Sequence, residues 1–438
     1  MRDIFSEHIR IQRMLDFEAA LARAQASVGV IPVAAADAIA KNCASSQIDF
    51  FALARDAESA GNLALPLVKQ LTALVAKENT EAAKFVHWGA TSQDVIDSGL
   101  VLQLRDALDL IERGLAELAH ALAVQIKQHR DTLMVGRTLL QHALPITFGL
   151  KAAGWLDAVT RHRQRLIELR PRILVLQFGG AAGTLAALGS QGSAIATALA
   201  QELNLALPAI PWHGQRDRVA EVATVCGLLV GTLGKIARDV SLCMQTEVGE
   251  LAEPSAPGRG ASSTMPHKRN PIGCAAALSA AIRVPGLVST MLSAMPQEHE
   301  RGLGGWQAEW ETLPEIFKLT SGALNDMTVV IAGLEVNADR MAANLNQSNG
   351  LIMAEAVTMT LAAHLGKHEA HRIVEHACNK AIKESRHLRE ILAEEPLIQT
   401  RISAVELEKL MDPSHYLGAT QQFIDRVLAA AREAVNEI

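Results

Sequence analysis

The sequence predicts an all-α protein in which long central helices form a bundle. Of its 438 residues, 49% are hydrophobic, 20% are charged and only 3% are aromatic. Alanine and leucine dominate and runs of β-branched residues are few, which favours helix over sheet. A chain of this length exceeds what one hydrophobic core usually serves, so we expect two or three structural units.

Three long helices are predicted from apolar seams in which residues recur three and four apart. The first seam, residues 104–122, lies on a helix expected to run from near Gln93 to around Arg130. The other two seams cover residues 222–240 and 316–334, and such seams mark one face of a helix. One chain cannot shield several long seams on every side, so we expect other subunits to complete the bundle.

Shorter helices are expected on both sides of this bundle, because glycines and prolines interrupt the sequence there. The division predicted from these interruptions has three parts. They are an N-terminal helical domain of residues 1–86, a central long-helix domain of residues 87–345 and a C-terminal helical domain of residues 346–438.

Charge and cysteine content exclude several classes of protein. A net charge of −6 argues against a nucleic-acid-binding protein, which normally carries a basic surplus. The five cysteines are widely spaced without a C-x-x-C pair, so we expect reduced, mostly buried thiols. The charged N-terminus lacks the apolar region of a signal peptide, and no apolar run approaches membrane-spanning length. These features predict a soluble, cytoplasmic protein with no membrane partner.

The most distinctive polar segment is residues 260–271, which read Gly-Ala-Ser-Ser-Thr-Met-Pro-His-Lys-Arg-Asn-Pro. Its hydroxyls, cations and amide are groups that bind carboxylates, and the glycines and prolines around it predict a loop. The alternative is a surface loop with a chance pair of cations.

Two further polar segments precede predicted helices. Thr91 and Asp94 form a T-x-x-D capping box. Equally, the hydroxyls of Thr91 and Ser92, with the free N–H groups of the helix N-terminus, could bind a carboxylate. Residues 136–145 carry four polar candidates before Pro145, which we place near the first turn of the next helix. These candidates are Arg137, Thr138, Gln141 and His142, although a lone histidine here is more often structural.

Two glycine-containing segments have less certain roles from sequence alone. The glycines of residues 178–184 could form a backbone nest for an anion, or simply a tight turn. Residues 300–310 place charges and two tryptophans around a glycine hinge, which fits either a core-anchoring turn or part of a substrate pocket.

The three polar segments joined by long helices resemble the fumarase/aspartase superfamily. Its third segment, G-S-S-x-M-P-x-K-x-N-P, is similar to residues 260–271 except that Ala261 adds one residue before the serines. Residues 89–94 and 136–145 match the first and second segments. The resemblance implies a three-domain fold, a homotetramer whose active sites each draw on three subunits, and no metal or organic cofactor.

The resemblance also implies roles for the third segment. Members of the superfamily remove a proton next to a carboxylate and expel a group from the β-carbon, or run that reaction backwards. By resemblance, Ser262 is the base, while Lys268 and Asn270 hold the activating carboxylate. A serine becomes a plausible base only where N–H groups and a nearby cation stabilise its oxyanion.

One departure from the superfamily narrows the reaction. The adenylosuccinate lyase branch has a histidine after the Arg-Thr of the second segment, where it protonates the leaving amine, whereas this chain has Leu139. A leaving nitrogen needs that proton. A leaving carboxylate does not, because its conjugate acid has a pKa of about 4. Leu139 therefore points to a carboxylate as the leaving group or, in the other direction, the nucleophile.

The cycloisomerase branch, whose members lactonise 3-carboxy-cis,cis-muconate in aromatic catabolism by the β-ketoadipate pathway, meets that demand. Its resemblance rests on the R-T-L-x-Q-x-A-x-P-x-T-F-G pattern from Arg137, the G-L-G-G-W-Q-A-E-W stretch from Gly302, and residues 412–418. It implies a tricarboxylate substrate and proton transfer by Ser262 or His142. The residues expected to contact the substrate are Thr91, Ser92, Arg137, Thr138, Gln141, Ser263, Asn270, Arg301 and Trp306.

Two alternatives remain open from sequence alone. An adenylosuccinate-type C–N lyase would need nucleotide-phosphate contacts and an acid at position 139, and neither is evident. A non-catalytic structural tetramer on the same scaffold would not need Ser262, Lys268 and Asn270.

Overall fold

The computed structural model describes residues 1–255, 260, 265 and 267–436, and it is mostly helical. Two compact units are present, and each is drawn from three separate stretches of the chain. The first unit holds Met1–Gly114, Gln164–Gly231 and Ala280–Gly322, and the second holds Leu115–Arg163, Thr232–Ser279 and Ala323–Ile438. The division into three consecutive domains stays a prediction.

The α-helices of the described residues vary from one turn to more than ten turns in length. In the first half of the chain they are α1 (Glu7–Ser27), α2 (Val33–Lys41), α3 (Phe50–Ala60), α4 (Ala64–Glu78), α5 (Ser92–Gln128), α6 (Phe148–Ile173), α7 (Gly192–Leu203) and α8 (Asp217–Cys243). In the second half they are α9 (Ile272–Ser293), α10 (Gly305–Ala332), α11 (Ala338–Asn346), α12 (Ala354–Leu365), α13 (Lys367–Glu384), α14 (Leu388–Glu394), α15 (Pro396–Gln399), α16 (Ala404–Leu410) and α17 (Thr420–Asn436). Short 3-10 turns occur at Ser45–Gln47, Ala82–Phe85, Ala186–Gln191, Leu351–Met353 and Pro413–His415.

The three long helices predicted from apolar seams are confirmed. α5, with 37 residues, covers the first seam, and α8 covers the second. α10 begins at Gly305, well before the third seam, because the tryptophan segment is already helical there. Most of the apolar seam residues are buried, including Leu108, Leu115 and Leu233 at 0% exposure.

Local capping explains where several helices begin and end. The Ser6 hydroxyl accepts a hydrogen bond from the backbone N–H of Ile9 at the start of α1, and the Asp49 carboxylate does the same for Ala52 in α3. α3 ends at Gly61, whose φ of 71° places it in the left-handed region that glycine adopts without strain.

The predominantly helical fold is confirmed, but the second polar segment departs from it. Strands β1 (Leu133–Thr138) and β2 (Gln141–Thr147) form an antiparallel hairpin from the second polar segment. Pro145, expected near a helix start, instead pairs with Val135 in the hairpin, and α6 begins only at Phe148. A second pair, β3 (Leu251–Ala252) with β4 (Glu335–Val336), is shorter.

The prediction that no apolar run approaches membrane-spanning length is wrong for two helices. By length and composition alone, α8 and α9 could cross a membrane. Within their apolar windows, 56% of α8 but only 33% of α9 is buried inside this chain. The core helix of a soluble protein also has this length and composition, so these two helices are weak evidence for a membrane span. What distinguishes α9 is that much of its apolar surface is uncovered in the single chain.

The cysteine prediction agrees with the structure. All five thiols are free; four are buried and Cys378 is half-buried. Burial raises the pKa of Cys226 to about 12, so this thiol stays protonated at neutral pH.

Candidate active site

The N-terminus of α5 is fixed by Asp94, which acts as an internal anion. Its carboxylate accepts hydrogen bonds from the N–H groups of Thr91 (3.0 Å), Gly179 (2.9 Å) and Gly180 (2.9 Å). The buried His213 ring lies 2.7 Å from the same carboxylate through Nε2. The glycine segment of residues 178–184 therefore forms a backbone nest, and the anion bound there is the protein's own Asp94 carboxylate.

The structure brings together two of the predicted substrate-binding residues, Thr91 and Arg301. One guanidinium nitrogen of Arg301 donates to the Thr91 hydroxyl at 3.0 Å, and another donates to the carbonyl of Ala181 at 2.9 Å. The Nε of Arg301 is buried without a hydrogen-bond partner among the described residues. The Thr91 hydroxyl bonds to Arg301, and of the predicted capping box the structure shows only the half in which Asp94 accepts from the Thr91 N–H. A cation and a hydroxyl at a helix N-terminus can bind a carboxylate.

Near the N-terminus of α5 lies a buried network of charges formed by Asp97, Arg216 and Glu309. Arg216 reaches both Asp97, at 2.7 Å, and Glu309, at 2.5 Å, and each of these side chains is at most 2% exposed. Burial raises the pKa of Glu309, and the charge of Asp97 adds to this effect, although Arg216 opposes both. One guanidinium thus links α5, the start of α8 and α10 within the first unit.

Trp306 is held by the same network. Its indole N–H donates to Asp97 at 2.9 Å, and its ring meets that of Trp310 edge to face, with centroids 4.9 Å apart. At 5% exposure, Trp306 anchors the core, as one of the two sequence interpretations held. Its contact with a substrate stays a prediction.

His87 forms a buried ion pair on the approach to α5. Its Nδ1 lies 2.6 Å from the carboxylate of Glu18, which is 1% exposed. Burial alone would lower the pKa of His87, but the charge and hydrogen bond of Glu18 outweigh burial and raise it. A raised folded-state pKa contributes stability that is complete below the unfolded pKa of about 6.5 and is lost as pH rises through the folded pKa.

We expect His87→Gln to destabilise the protein most at about pH 5 to 6, with the loss shrinking as the pH rises through the folded-state pKa of His87. Urea unfolding at a series of pH values measures the difference. His129→Gln is the matched control, because burial lowers the pKa of His129 and the difference should therefore change with pH in the opposite direction. Parallel pH profiles for the two variants would contradict the assignment.

In the second unit, Arg137 is fixed by a carboxylate of the protein itself. Its two terminal nitrogens donate to the two oxygens of Glu250 at 2.8 and 2.7 Å, and Glu250 is fully buried. The side-chain amide of Asn344 donates to the same carboxylate at 2.8 Å. Arg137 thus anchors the hairpin, and its predicted contact with a substrate carboxylate remains untested.

The hairpin turn consists of Leu139 and Leu140. Both have positive φ, 49° and 64°, as a two-residue turn of the primed type requires. Asparagine and glycine normally occupy such turns, and leucine there costs about 1–2 kcal/mol per residue. The two side chains are also 97% and 76% exposed within this chain.

The polar residues beside this turn pair across the hairpin. Thr138 lies opposite Gln141, and Arg137 lies opposite His142. Burial lowers the pKa of His142, and the positive charge of Arg137 lowers it further. The imidazole is therefore mostly neutral at pH 7 and can accept a proton.

The third segment is described only in part. Ser262 and Ser263 lie outside the described residues. Asn270 bonds to the carbonyl of Gly260 through its backbone N–H (3.0 Å) and through its side chain (3.1 Å), so the two ends of the segment meet. Lys268 is exposed.

Residues near the end of the third segment and on either side of it are also tied to the second unit. Arg269 forms a two-point ion pair with Glu335, with both contacts at 2.7 Å. Glu253 accepts hydrogen bonds from the N–H groups of Gly273 and Cys274 at the start of α9. These contacts fix the chain on both sides of the segment that carries the predicted base.

Sequence reasoning did not find the side chains that hold these groups in place. The missed residues are Glu18, Asp97, His213, Arg216, Glu250, Glu309 and Asn344. The polar run His-Gly-Gln-Arg-Asp at residues 213–217, which directly precedes a long apolar helix, was a signal for His213 and Arg216, and the charges of residues 300–310 were a signal for Glu309.

A family model described as Lyase matches residues 1–286, which is more than half of the chain. The chain belongs to this lyase family. A second model, described as Adenylosuccinate lyase C-terminus, matches residues 350–427. The resemblance to the fumarase/aspartase superfamily is confirmed by these matches.

Relatives within the lyase family are similar over almost the whole chain. The 3-carboxy-cis,cis-muconate cycloisomerase of Pseudomonas aeruginosa is 56% identical over 429 residues, which are 98% of this chain and 94% of that protein. A crystal structure of 3-carboxy-cis,cis-muconate lactonizing enzyme from Pseudomonas putida has a TM-score of 0.94 at 55% identity, covering 99% of this chain and 97% of that one. A crystal structure of β-carboxy-cis,cis-muconate cycloisomerase from Acinetobacter calcoaceticus sp. ADP1 has a TM-score of 0.93 at 45% identity, covering 98% of each chain.

Proposed function

We propose that this chain is a 3-carboxy-cis,cis-muconate cycloisomerase. In the proposed reaction a substrate carboxylate oxygen bonds to one end of a conjugated double bond, which closes a five-membered lactone. The carbon next to another carboxylate receives a proton, so no atom is lost and the product is an isomer. The names of relatives 52–57% identical to this chain support this assignment.

The observation that carries the proposal is the apolar turn at the tip of the hairpin. The side chains at positions 139 and 140 are leucines, which cannot protonate a leaving nitrogen. Lactone closure and its reverse need no acid there, because carboxylate is already a stable leaving group. The match to the C-terminal adenylosuccinate lyase model favours a C–N lyase as the second candidate, and Leu139 argues against it.

We infer distinct roles for the polar segments. Ser262 or His142 transfers the proton to or from carbon, and Lys268 and Asn270 bind the carboxylate that stabilises negative charge there. Arg301 and Thr91 bind a second carboxylate at the start of α5. The leucines exclude water from the reacting carbon. No metal or organic cofactor takes part in this scheme.

We further propose a three-domain homotetramer, in which other subunits cover α9 and complete each active site. Two exposed apolar features support this proposal: the uncovered surface of α9 and the Leu139–Leu140 turn. Ile282 on α9 is 76% exposed within the single chain. Contact with another subunit would remove this apolar side chain from water. We place the tetramer in the cytoplasm, acting in aromatic catabolism.

A substrate comparison tests the proposed reaction. We expect the protein to remove the conjugated-diene absorbance of 3-carboxy-cis,cis-muconate at a catalytic rate and to release no AMP from adenylosuccinate. AMP release without diene loss would assign the chain to the C–N lyases. Inactivity on both substrates by a correctly assembled tetramer would support a structural role instead.

A further inference from the structure

A cavity of about 230 Å³ in the first unit lies outside the polar segments described above. α1, α5 and α10 line it, and its polar lining includes Arg10, Trp310, Lys318, Glu7 and Glu311. A single water needs only roughly 10–15 Å³. The space is therefore large enough for a small organic ion.

The lining of this cavity carries one buried hydrogen-bond donor without an acceptor, beside a guanidinium. Arg10 is half-buried, and its guanidinium lies over the Trp310 ring, 5.8 Å from the ring centroid, with no hydrogen bond or ion pair of its own among the described residues. The indole N–H of Trp310 is buried and has no hydrogen-bond partner in the described part of the chain. A buried donor is normally satisfied, so the unpaired indole N–H of Trp310 indicates a missing acceptor, and the half-buried Arg10 guanidinium places a positive charge beside it.

The charges around the cavity favour an anion as that acceptor. Burial lowers the pKa of Arg10, and the nearby charges of Glu311 and Glu7 do not compensate for it. Both glutamates are exposed, so water screens them. The two exposed glutamates therefore neutralise the Arg10 guanidinium only in part, and Lys318 adds a second positive charge to the lining.

We propose that this cavity binds a small carboxylate between the Arg10 guanidinium and the Trp310 indole N–H. The planar guanidinium matches a carboxylate through two parallel hydrogen bonds, and the indole supplies a third donor. The Trp310 ring touches that of Trp306, which donates a hydrogen bond to Asp97, so Trp310 lies between the cavity and the network of Asp97, Arg216 and Glu309. The site is separate from the polar segments to which we assign the reaction.

Fluorine NMR of the assembled protein labelled with 5-fluorotryptophan tests this site. Trp310→Phe identifies the Trp310 resonance. We expect sodium acetate to shift that resonance saturably, while sodium chloride at the same ionic strength does not. Arg10→Gln should weaken acetate binding about tenfold or more, as expected for loss of a charged hydrogen-bond donor.

Two control variants separate a site from general charge effects. Glu311→Gln should tighten acetate binding because it removes a like charge from the rim, and Arg55→Gln, on the exposed face of α3, should leave it unchanged. A shift that both salts produce equally, or one that survives Arg10→Gln, overturns the proposal. So does a changed oligomeric state of Arg10→Gln with no acetate response in the parent protein, because the cavity would then serve subunit packing.

Discussion

Ser262→Ala should lower the rate of diene loss by about a hundredfold to ten-thousandfold, which is the usual contribution of a positioned acid or base. The fold and the oligomeric state should not change, because the substitution removes only a hydroxyl. Steady-state assay of diene absorbance, together with circular dichroism and gel filtration, measures both parts of the prediction. Ser255→Ala is the matched control, since this exposed serine lies in the approach to the same segment.

A parallel His142→Gln variant decides between the two groups that could transfer the proton. If Ser262 acts on carbon, His142→Gln should retain much more activity than Ser262→Ala. Full activity in Ser262→Ala, with a large loss in His142→Gln, would move the proton transfer to the hairpin. The lowered pKa of His142 makes this outcome chemically possible, because a neutral imidazole can act as a base at pH 7.

The largest effect on stability is expected from Arg216→Gln. This change leaves the carboxylates of Asp97 and Glu309 buried without their cation. Breaking a buried ion pair by removing one partner costs about 3–5 kcal/mol, so the midpoint of urea unfolding should fall markedly. Arg172→Gln serves as the comparison because its ion pair with Glu221 is solvent-exposed, and it should cost less than about 1 kcal/mol.

Equal losses in these two arginine variants would contradict the structural role given to the buried network. The double variant Asp97→Asn with Arg216→Gln adds a further check. Removing one negative charge together with the cation should recover part of the stability lost in Arg216→Gln, because fewer unpaired charges remain buried.

Helices were predictable from the sequence because their information is local. The seam of α5 repeats every three to four residues, and each repeat adds to the same signal. The hairpin was missed for two physical reasons. Its turn is Leu139–Leu140, without the asparagine or glycine that usually marks positive φ, and Pro145 occupies a strand although proline normally disfavours one.

The polar motifs of the site could be predicted from the sequence, but the side chains and backbone groups that hold those motifs in place could not. Arg137 read as a free cation for the substrate, yet its partner Glu250 lies 113 residues further along the chain. Likewise, the anion held by the glycine nest is Asp94, 85 residues earlier. Such pairings depend on tertiary structure, which residue spacing alone does not contain.

The interleaved composition of the two compact units has a consequence for synthesis of the protein. The first unit includes residues at the N-terminus and also Ala280–Gly322, so it cannot be completed until nearly three quarters of the chain has left the ribosome. Chains emerge from the ribosome at about 5–20 residues per second, so the early helices wait many seconds for their partners. Apolar surfaces such as that of α5 stay uncovered during this time. We therefore expect chaperone availability, more than the stability of the finished fold, to limit the yield of the protein in cells.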